Sequence, residues 1–535
     1  MTEMSRRSFG GLVGGGAVTA VAGTATAAEA APAEQPFRAR PAAAKGERPN
    51  LLVILGDDLG WADLSSYGAP HIRTPNLDRL ARQGVRFTDA YSGSATCSPT
   101  RFSLYTGRYP GRTKGGLAEP IANRTQGLDP NHPTLASLLK KAGYSTALIG
   151  KWHCGWLPDY SPTRSGWDEF FGNHGGVLEY FSKLGQLGDY DLYEGDAEYK
   201  DLRYYTEVLT ERAVEYVGRD HDRPWLLNLN FTTPHWPWLA EDDAETGAEI
   251  EARIRAAKTQ AEVGRALNHY DGGSVEKYAQ MVESLDAAVG EVLTALRRSG
   301  QEENTLVLFA SDNGGERYSY NWPLSGQKFV LLEGGIRVPT IVRWPARIDG
   351  HQVSHEPNVS PDWTATLLEL AGAPPPPPPP PGRPRPPRDT PRGGGPPGPP
   401  PFFGVVRARA APPAPAAPRP AHDPTAPPAG RAPLVDRAAP RPDPAYPLDG
   451  TSLAGYLLRG ERLPEHDLFW RVRANRALRR GDWKYYQDAT KTDHLYNLAA
   501  DAREQADLAP DRPELLAELK AAWERTAAGL LPYTD

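Results

Sequence analysis

The feature that most constrains the fold of this chain is a repeated pattern in which an apolar run ends directly in polar residues. Four runs show it, at residues 50–56, 145–149, 225–231 and 305–310. Continuous apolar runs of this length are typical of strands that are buried on both faces of a parallel sheet. Segments with helical spacing separate the runs. The sequence therefore predicts an α/β fold with a large mixed, mostly parallel sheet sandwiched by helices.

Three of the separating segments carry helix boundary signals. Pro75 marks the first turn of a helix that ends near Gly84, and Pro133 precedes a second helix that ends near Gly143. Residues 275–300 carry an apolar stripe at helical spacing and two arginines in the last turn, which predicts a third helix.

The last part of the chain, residues 448–535, has a different pattern. Short runs typical of strands occur at residues 468–471, 477–486 and 494–498, and a helical segment follows around residues 513–529. This order predicts a smaller C-terminal antiparallel sheet with a packed helix. Residues 48–373 form the larger predicted domain that precedes it.

Proline is concentrated between these two predicted domains. Residues 374–447 contain 30 of the 55 prolines and carry a net charge of +6. So few apolar groups cannot offset chain entropy, which predicts a disordered insertion. It is interpreted as a passive surface insertion, or a stretch translated from a GC-rich reading frame, in preference to a Pro-rich ligand or spacer, because long loops cost little entropy to close.

The N-terminus resembles an export signal. Residues 5–9 read Ser-Arg-Arg-Ser-Phe, and a Gly/Ala-rich, weakly apolar stretch extends to residue 28. This pattern predicts a twin-arginine signal peptide over residues 1–28, the alternative being a disordered tail. The stretch is too weakly apolar for a spanning helix, so no stable membrane insertion is expected. The predicted location is exported, periplasmic or extracellular, and the predicted partner is the twin-arginine export machinery.

Charge and cysteine content exclude two classes of protein. The 60 Lys+Arg and 66 Asp+Glu residues give a net charge of −6, so the whole chain does not attract nucleic acid, and no nucleic-acid partner is expected. Cys97 and Cys154 are the only cysteines, so a disulfide framework is excluded. Any anion-binding site must be local.

Polar residues follow each of the four predicted strands. Because ligands bind beyond the carboxyl ends of parallel strands, these residues are expected to meet at one edge of the sheet. Three carboxylates and an amide among them would form an all-oxygen cluster, which suits a hard cation; singly, each could instead be a turn residue. The four are Asp57, Asp58, Asp312 and Asn313.

The segment Cys97-Ser98-Pro99-Thr100-Arg101, followed by Thr106-Gly107-Arg108, resembles the Cys-x-Pro-x-Arg signature of the type I, formylglycine-dependent sulfatases. These are arylsulfatase-like members of the alkaline phosphatase superfamily. The resemblance covers about residues 48–373 and 448–535. Other motifs of that family follow in the same order: Gly150-Lys151-Trp152-His153, Thr233-Pro234-His235, Ser311-Asp312-Asn313-Gly314, Gly326-Gln327-Lys328, Glu333-Gly334-Gly335-Ile336-Arg337-Val338-Pro339, Gly481-Asp482-Trp483-Lys484 and Leu495-Tyr496-Asn497-Leu498.

This chain departs from the family pattern at a few positions. Tyr105 stands where Leu or Met is usual, Thr100 replaces the commoner Ser, and Cys154 follows His153 where Leu is usual. None of these is a catalytic group in the family, and Cys154 is interpreted as a small buried hydrophobe. The Pro-rich insertion has no family counterpart.

The resemblance implies a modified nucleophile at Cys97. A formylglycine-generating enzyme would oxidise this cysteine, and a hydroxyl of the hydrated product would attack sulfur to form a covalent sulfo-enzyme intermediate. His153 would be the base that releases sulfate from it. His235 and Lys328 would bind sulfate and protonate the leaving oxygen, while Arg101 and Lys151 would position the formylglycine and offset charge.

The resemblance also implies a metal ion. The expected ligands are the modified Cys97 and the four oxygen-bearing residues at the strand ends, Asp57, Asp58, Asp312 and Asn313. The family implies Ca²⁺, with Mg²⁺ as the second choice. A divalent ion would offset the repulsion between the clustered carboxylates and polarise a sulfate oxygen.

The leading hypothesis is a sulfuric-ester hydrolase that acts on a sulfate-ester small molecule or a sulfated carbohydrate. A phosphonate monoester or phosphodiester hydrolase of the same superfamily is the second hypothesis. A sulfatase-like binding protein is the third, and it would follow if Cys97 stayed an unmodified thiol. The identity of the sulfate ester is not encoded in any motif, because the pocket walls are predicted to be loops at residues 172–200 and 240–273.

Overall fold

The computed structural model describes residues 35–38, 48–117, 119–120, 124–374, 376 and 447–533. The predicted signal peptide at residues 1–28 lies outside the described residues. So does the predicted Pro-rich insertion at 374–447, apart from residues 374, 376 and 447.

Strands and helices are interspersed as far as α10, and a run of four strands then precedes the last helix. The strands are β1 (Gln35–Pro36), β2 (Asn50–Gly56), β3 (Val85–Phe87), β4 (Ala90–Tyr91), β5 (Ser145–Gly150), β6 (Glu169–Gly172), β7 (Tyr193–Glu194), β8 (Ala197–Glu198), β9 (Trp225–Asn230), β10 (Thr305–Ser311), β11 (Thr340–Arg343), β12 (Gln352–Ser354), β13 (Asn358–Val359), β14 (Leu468–Val472), β15 (Asn475–Arg480), β16 (Trp483–Gln487) and β17 (Asp493–Asn497). The helices are α1 (Pro75–Arg82), α2 (Cys97–Thr106), α3 (Leu135–Lys141), α4 (Tyr205–Gly218), α5 (Ala244–Ala256), α6 (Gln260–Asn268), α7 (Val275–Arg298), α8 (Glu333–Ile336), α9 (Ser360–Leu370), α10 (Ala454–Arg459) and α11 (Pro513–Ala527).

One large sheet organises the described residues. Its eleven strands lie in the order β1-β12-β3-β11-β10-β2-β9-β5-β6-β7-β8 in this part of the chain. The five neighbours from β10 to β6 all run parallel, whereas β11 and the edge strands β7 and β8 are antiparallel to their neighbours. The predicted mixed, mostly parallel sheet is confirmed.

The central strand β2 shows why both faces of this sheet must be covered. Leu52 and Ile54 contact one apolar core, and Leu51, Val53 and Leu55 contact another on the opposite face. Helices α1 and α4–α7 contribute to the first core, and α2, α3, α9 and α10 contribute to the second. Burying each such side chain contributes about 1.5–3 kcal/mol to the free energy of folding. Because both faces of the strand are covered, apolar residues are favoured at every position, and polar residues do not alternate with them.

The predicted helices form with small shifts at their ends. Helix α1 begins at Pro75, and α3 follows Thr134, whose side chain accepts a hydrogen bond from the Ser137 backbone in a capping box. Helix α7 ends at Arg298, two residues earlier than predicted. The prediction of loops over residues 240–273 is wrong, because α5 and α6 lie there.

Helices α5 and α6, which replace the predicted loops, have local and tertiary causes. Thr259 and Glu262 form a capping box at the start of α6. Ile250 and Ile254 of α5, one turn apart, are buried in the first core. A short amphipathic segment forms a stable helix only where its apolar face packs against a core.

The C-terminal strands form a separate antiparallel sheet in the order β14-β15-β16-β17, and α11 packs on it, as predicted. Trp523 of α11 stacks on Phe469 of β14 with ring centroids 5.4 Å apart. Trp470 on the same strand donates a hydrogen bond from Nε1 to the Ser92 carbonyl at 2.8 Å. The small sheet therefore packs against the segment that leads into α2. Among the described residues, none of the helices combines the length and apolarity needed to cross a bilayer.

Candidate active site

The site is built where parallel strands end together. Gly56 of β2 pairs with Ser311 of β10, and Gly150 of β5 pairs with Asn230 of β9. The residues that follow therefore emerge at the same level of the sheet edge. This places together the polar residues that the sequence predicted to meet: Asp57, Asp58, Lys151, His153, His235, Asp312 and Asn313.

Two of these residues have strained backbones. Asp58 and His153 have φ angles of 64° and 51°, in the left-handed region that non-glycine residues rarely adopt. Such conformations cost about 1–3 kcal/mol and persist where the surroundings require them. They turn the chain sharply at the strand ends.

Cys97 is the first residue of helix α2 and is buried. Pro99 lies in the first turn, where its missing N–H removes no intrahelical bond. Cys97 Sγ lies 3.7 Å from Asp58 Oδ1. Burial raises the pKa of the Cys97 thiol well above its usual range, so an unmodified cysteine here is a poor nucleophile at neutral pH.

Arg101 lies one turn further along α2 and is fully buried. Its Nη2 and Nε donate hydrogen bonds to Asp312 Oδ2 at 2.8 and 3.1 Å, and its Nη1 donates to the Lys151 carbonyl at 3.1 Å. Lys151 Nζ donates in turn to Asp57 Oδ2 at 2.6 Å. Two buried cations thus fix the orientation of two buried carboxylates.

Asp58 also lies beside a lysine and a neutral histidine, Lys328 and His235. Lys328 Nζ donates to Asp58 Oδ2 at 2.7 Å and lies 3.3 Å from His235 Nε2. His235 Nδ1 lies 2.7 Å from the Trp236 carbonyl, so Nδ1 carries the proton and Nε2 accepts from Lys328. Burial lowers the pKa of His235 to about 3, although the charge of Asp58 opposes this shift.

His153 is buried, yet neither of its ring nitrogens has a hydrogen-bond partner. Its ring lies so close to Gly176 that a Cβ there would be 2.4 Å from His153 Cε1, so only glycine fits at that position. Burial lowers the pKa of His153 well below its usual value, and the charges of Lys151 and Arg101 add to this. A neutral imidazole is therefore left with one free donor and one free acceptor.

The three carboxylates differ in their protonation. Burial raises the pKa of Asp57 to about 8, with Lys151 opposing the shift. For Asp58, burial is outweighed by Lys328 and His235, and for Asp312 it is outweighed by Arg101 and Lys151, so both pKa values are lowered. A nearby divalent cation would favour the charged form of all three.

The donor set at this edge fits a hard divalent cation. Asp57 Oδ1 and Asn313 Oδ1 are buried oxygens without hydrogen-bond partners. Ligand atoms of Asp57, Asp58, Cys97 and His235 all lie within 4.8 Å of one another. Buried, unpaired carboxylate and amide oxygens are the ligands that such ions prefer.

All of the predicted site residues lie in this one cluster, and the structure adds two that sequence reasoning missed. The Glu119 carboxylate lies within 4.8 Å of both Cys97 Sγ and a ring nitrogen of His153. Glu316 Oε2 is buried without a hydrogen-bond partner, and the charges of Asp58 and Lys328 act on it. Neither glutamate belongs to a motif, so no signal in the sequence marks them.

Cys154 is fully buried in the second core, as its interpretation as a small hydrophobe requires. Both cysteines are free thiols in this structure. Cys97 is therefore not held in a disulfide with Cys154.

Comparison with known proteins assigns the chain to a family. The sulfatase family model matches residues 49–373. The chain belongs to the sulfatase family. That match covers the strands and loops that carry every residue of the site cluster.

Sulfatases with curated sequences resemble the chain over part of their length. N-acetylgalactosamine-6-sulfatase of Rattus norvegicus is 32% identical over 363 residues, which cover 62% of this chain and 63% of that protein. Arylsulfatase J of Mus musculus is 34% identical over 351 residues, which cover 62% of this chain and 54% of that protein. The chain thus spans less than two thirds of the length of these relatives.

A solved structure resembles most of the chain. The crystal structure of Ps i-CgsB superposes with a TM-score of 0.69 and 26% identity, covering 91% of this chain and 94% of that one. The same protein in complex with k-i-k-neocarrahexaose superposes with a TM-score of 0.68 and 25% identity.

Proposed function

We propose that this protein is a sulfuric-ester hydrolase that uses a formylglycine made from Cys97 and a divalent cation, with Ca²⁺ favoured over Mg²⁺. The observation that carries the proposal is the position of Cys97. It begins a buried helix between a cluster of unpaired oxygen ligands, the Lys328–His235 pair and the unpartnered His153.

Asp57, Asp58, Asp312 and Asn313, together with the modified Cys97, would hold the cation, which when bound would polarise a sulfate oxygen. The hydrated formylglycine would supply the nucleophilic hydroxyl. Arg101 and Lys151 orient the carboxylates Asp312 and Asp57 through their hydrogen bonds. Their charges also favour an anion at the site.

The proposed acid is the Lys328–His235 pair. The pKa of Lys328 is raised well above its usual value, because the charge of Asp58 outweighs the effect of burial, so the ammonium is retained. It therefore carries a proton that can pass to a leaving oxygen, and the neutral His235 Nε2 accepts from it at 3.3 Å. His153, neutral and without a hydrogen-bond partner, is the proposed base.

The proposed substrate is a sulfated carbohydrate. Support comes from the likeness to N-acetylgalactosamine-6-sulfatase and to Ps i-CgsB, which binds k-i-k-neocarrahexaose. We further propose that the enzyme is exported through the twin-arginine pathway after a formylglycine-generating enzyme has modified it, because the motif at residues 5–9 favours export of a folded chain.

The test is expression with and without a formylglycine-generating enzyme. Mass spectrometry of the peptide covering residues 95–108 reports modification of Cys97. Turnover is then measured on 4-nitrophenyl sulfate, galactose monosulfates and a phenyl phosphonate monoester, with Cys97→Ala as the control. We expect sulfate-ester turnover only when Cys97 is modified. A modified enzyme that cleaves the phosphonate monoester and no sulfate ester would contradict the proposal.

A further inference from the structure

Glu119 lies at the reacting centre without a role in the chemistry described above. One of its carboxylate oxygens is within 4.8 Å of both Cys97 Sγ and a ring nitrogen of His153. The position of the next residue, Pro120, is fixed, because its carbonyl accepts a hydrogen bond from Trp156 Nε1 at 2.6 Å. Trp156 is itself buried and follows His153 by three positions. The carboxylate is therefore placed beside the nucleophile by a specific contact.

The charge of Glu119 decides what it can bind. A carboxylate repels the oxygens of a sulfate group and accepts hydrogen bonds only from donors. Among the described residues, no hydrogen bond to the Glu119 side chain is formed, although its charge acts on Lys328. Because this carboxylate lies within 4.8 Å of Cys97 Sγ, it can reach only the first few atoms beyond the sulfate ester. A donor on the alcohol part of the substrate would satisfy it.

Phe329 offers an apolar surface next to the same centre. It is 43% exposed and has a φ of 76°, a conformation that strains a bulky residue. Its backbone N donates to the Ala95 carbonyl at 2.8 Å, two residues before Cys97, and its ring centroid lies 5.4 Å from Lys328 Nζ. An exposed ring that is kept beside the proposed acid, despite strain, can contact the apolar face of a leaving group.

We propose that Glu119 and Phe329 bind the alcohol part of the substrate, and that this substrate is a sulfated sugar with a free hydroxyl within two carbons of the ester. This inference rests on the proposed sulfatase function. Glu119 accepts the hydrogen bond of that hydroxyl, and the sugar ring lies against Phe329. Simple aryl and steryl sulfates lack this hydroxyl, so they forgo the contact with Glu119.

The test compares substrates in the modified holoenzyme. The kcat/KM of the best galactose monosulfate is divided by that of 4-nitrophenyl sulfate, and this selectivity is measured for wild type, Glu119→Ala and Glu119→Gln. We expect Glu119→Ala to lower the selectivity by about 10- to 100-fold, the range for losing a hydrogen bond to a charged group. Glu119→Gln, which keeps an acceptor, should lower it less. Glu291→Ala, at an exposed position on α7, is the matched control and should not change it.

The outcomes separate the alternatives. If Glu119→Ala lowers turnover of both substrates equally and shifts the pH profile, Glu119 acts through His153 and the inference is wrong. It is also wrong if the selectivity does not change. Deleting the neighbouring hydroxyl from the sugar should lower wild-type kcat/KM but have little further effect on Glu119→Ala. A modified wild type that cleaves no sulfate ester would instead refute the underlying function.

Phe329 is tested by substitution with glycine. Phe329→Gly removes the ring and relieves the left-handed strain, so thermal stability should not fall. The KM for the sugar sulfate should rise by about 3- to 10-fold, as expected for a lost ring contact. A clear loss of stability with an unchanged KM would show that Phe329 serves packing alone.

Discussion

Lys484→Met should destabilise the protein strongly, because Lys484 joins the small C-terminal sheet to the catalytic part through a fully buried ion network. Its Nζ lies 2.8 Å from Glu333 Oε1 and 2.8 Å from Glu504 Oε1, and the three side chains are all inaccessible to solvent. Glu504 Oε2 also accepts a hydrogen bond from the Glu333 backbone N at 2.6 Å. The lysine thus sits between two buried carboxylates.

The magnitude follows from what the substitution leaves behind. Removing one partner of a buried ion pair costs about 3–5 kcal/mol, because the remaining charge has no compensation. Glu333 keeps Tyr91 and Arg337 as partners, at 2.6 and 3.4 Å. Glu504 is therefore the carboxylate whose charge is left without compensation. We expect the free energy of unfolding to fall by about 3–5 kcal/mol at pH 7.5.

The pH dependence of this network has a definite sign. Burial raises the pKa of Glu504 from 4.5 to about 7, although Lys484 opposes the shift. Between pH 4.5 and about 7, the folded state therefore binds more protons than the unfolded state. The contribution of Glu504 to the free energy of unfolding falls as the pH rises through this range. Without Lys484 the pKa of Glu504 rises further. The defect of Lys484→Met should consequently be smaller at pH 5.5 than at pH 7.5.

Equilibrium urea unfolding, followed by tryptophan fluorescence, measures the effect. Lys520→Met is the matched control, because Lys520 pairs with Asp493 at 2.6 Å on the surface and should cost less than about 1 kcal/mol. Adding Glu504→Gln to Lys484→Met removes the uncompensated charge and should restore part of the stability. A loss below about 1 kcal/mol at pH 7.5, or a double variant no more stable than the single one, would refute the reasoning.

Three further predictions concern the site and the chain around it. Asp312→Ala should lower kcat at least about a thousandfold and abolish thermal stabilisation by added Ca²⁺. The variant should stay folded, because Arg101 retains Asp57 at 3.6 Å. Full activity would remove Asp312 from the proposed metal site. Cys154→Ala should keep the activity and cost about 1 kcal/mol, since it removes one buried sulfur; loss of turnover in a stable variant would contradict its interpretation as packing. Replacing residues 377–446 with a short Gly/Ser linker should leave kcat/KM within about twofold of the wild-type value. The reason is that closing a long loop differs little in entropy from closing a shorter one. A folded but inactive deletion variant would show that the insertion contributes to function.

The sequence by itself determined the central strands and predicted which residues lie together at the candidate site. Buried parallel strands must be apolar throughout, so runs such as residues 50–56 are visible without any structure. Their carboxyl ends must share an edge, which was enough to bring Asp57, Asp312 and Lys151 together. The motif at Cys97 resembles the family signature because its residues are neighbours along the chain, so it is visible without any structure.

Only the tertiary structure decided which partners these residues have. Glu119 lies within 4.8 Å of Cys97 and His153, but it belongs to no motif and no periodic segment, so nothing local encodes this position. Lys484 pairs with Glu333 and Glu504 from two other segments, which come together only when the small sheet packs on the catalytic part. Strand and helix patterns arise from neighbours along the chain, whereas charge pairing and substrate contacts arise from neighbours in space.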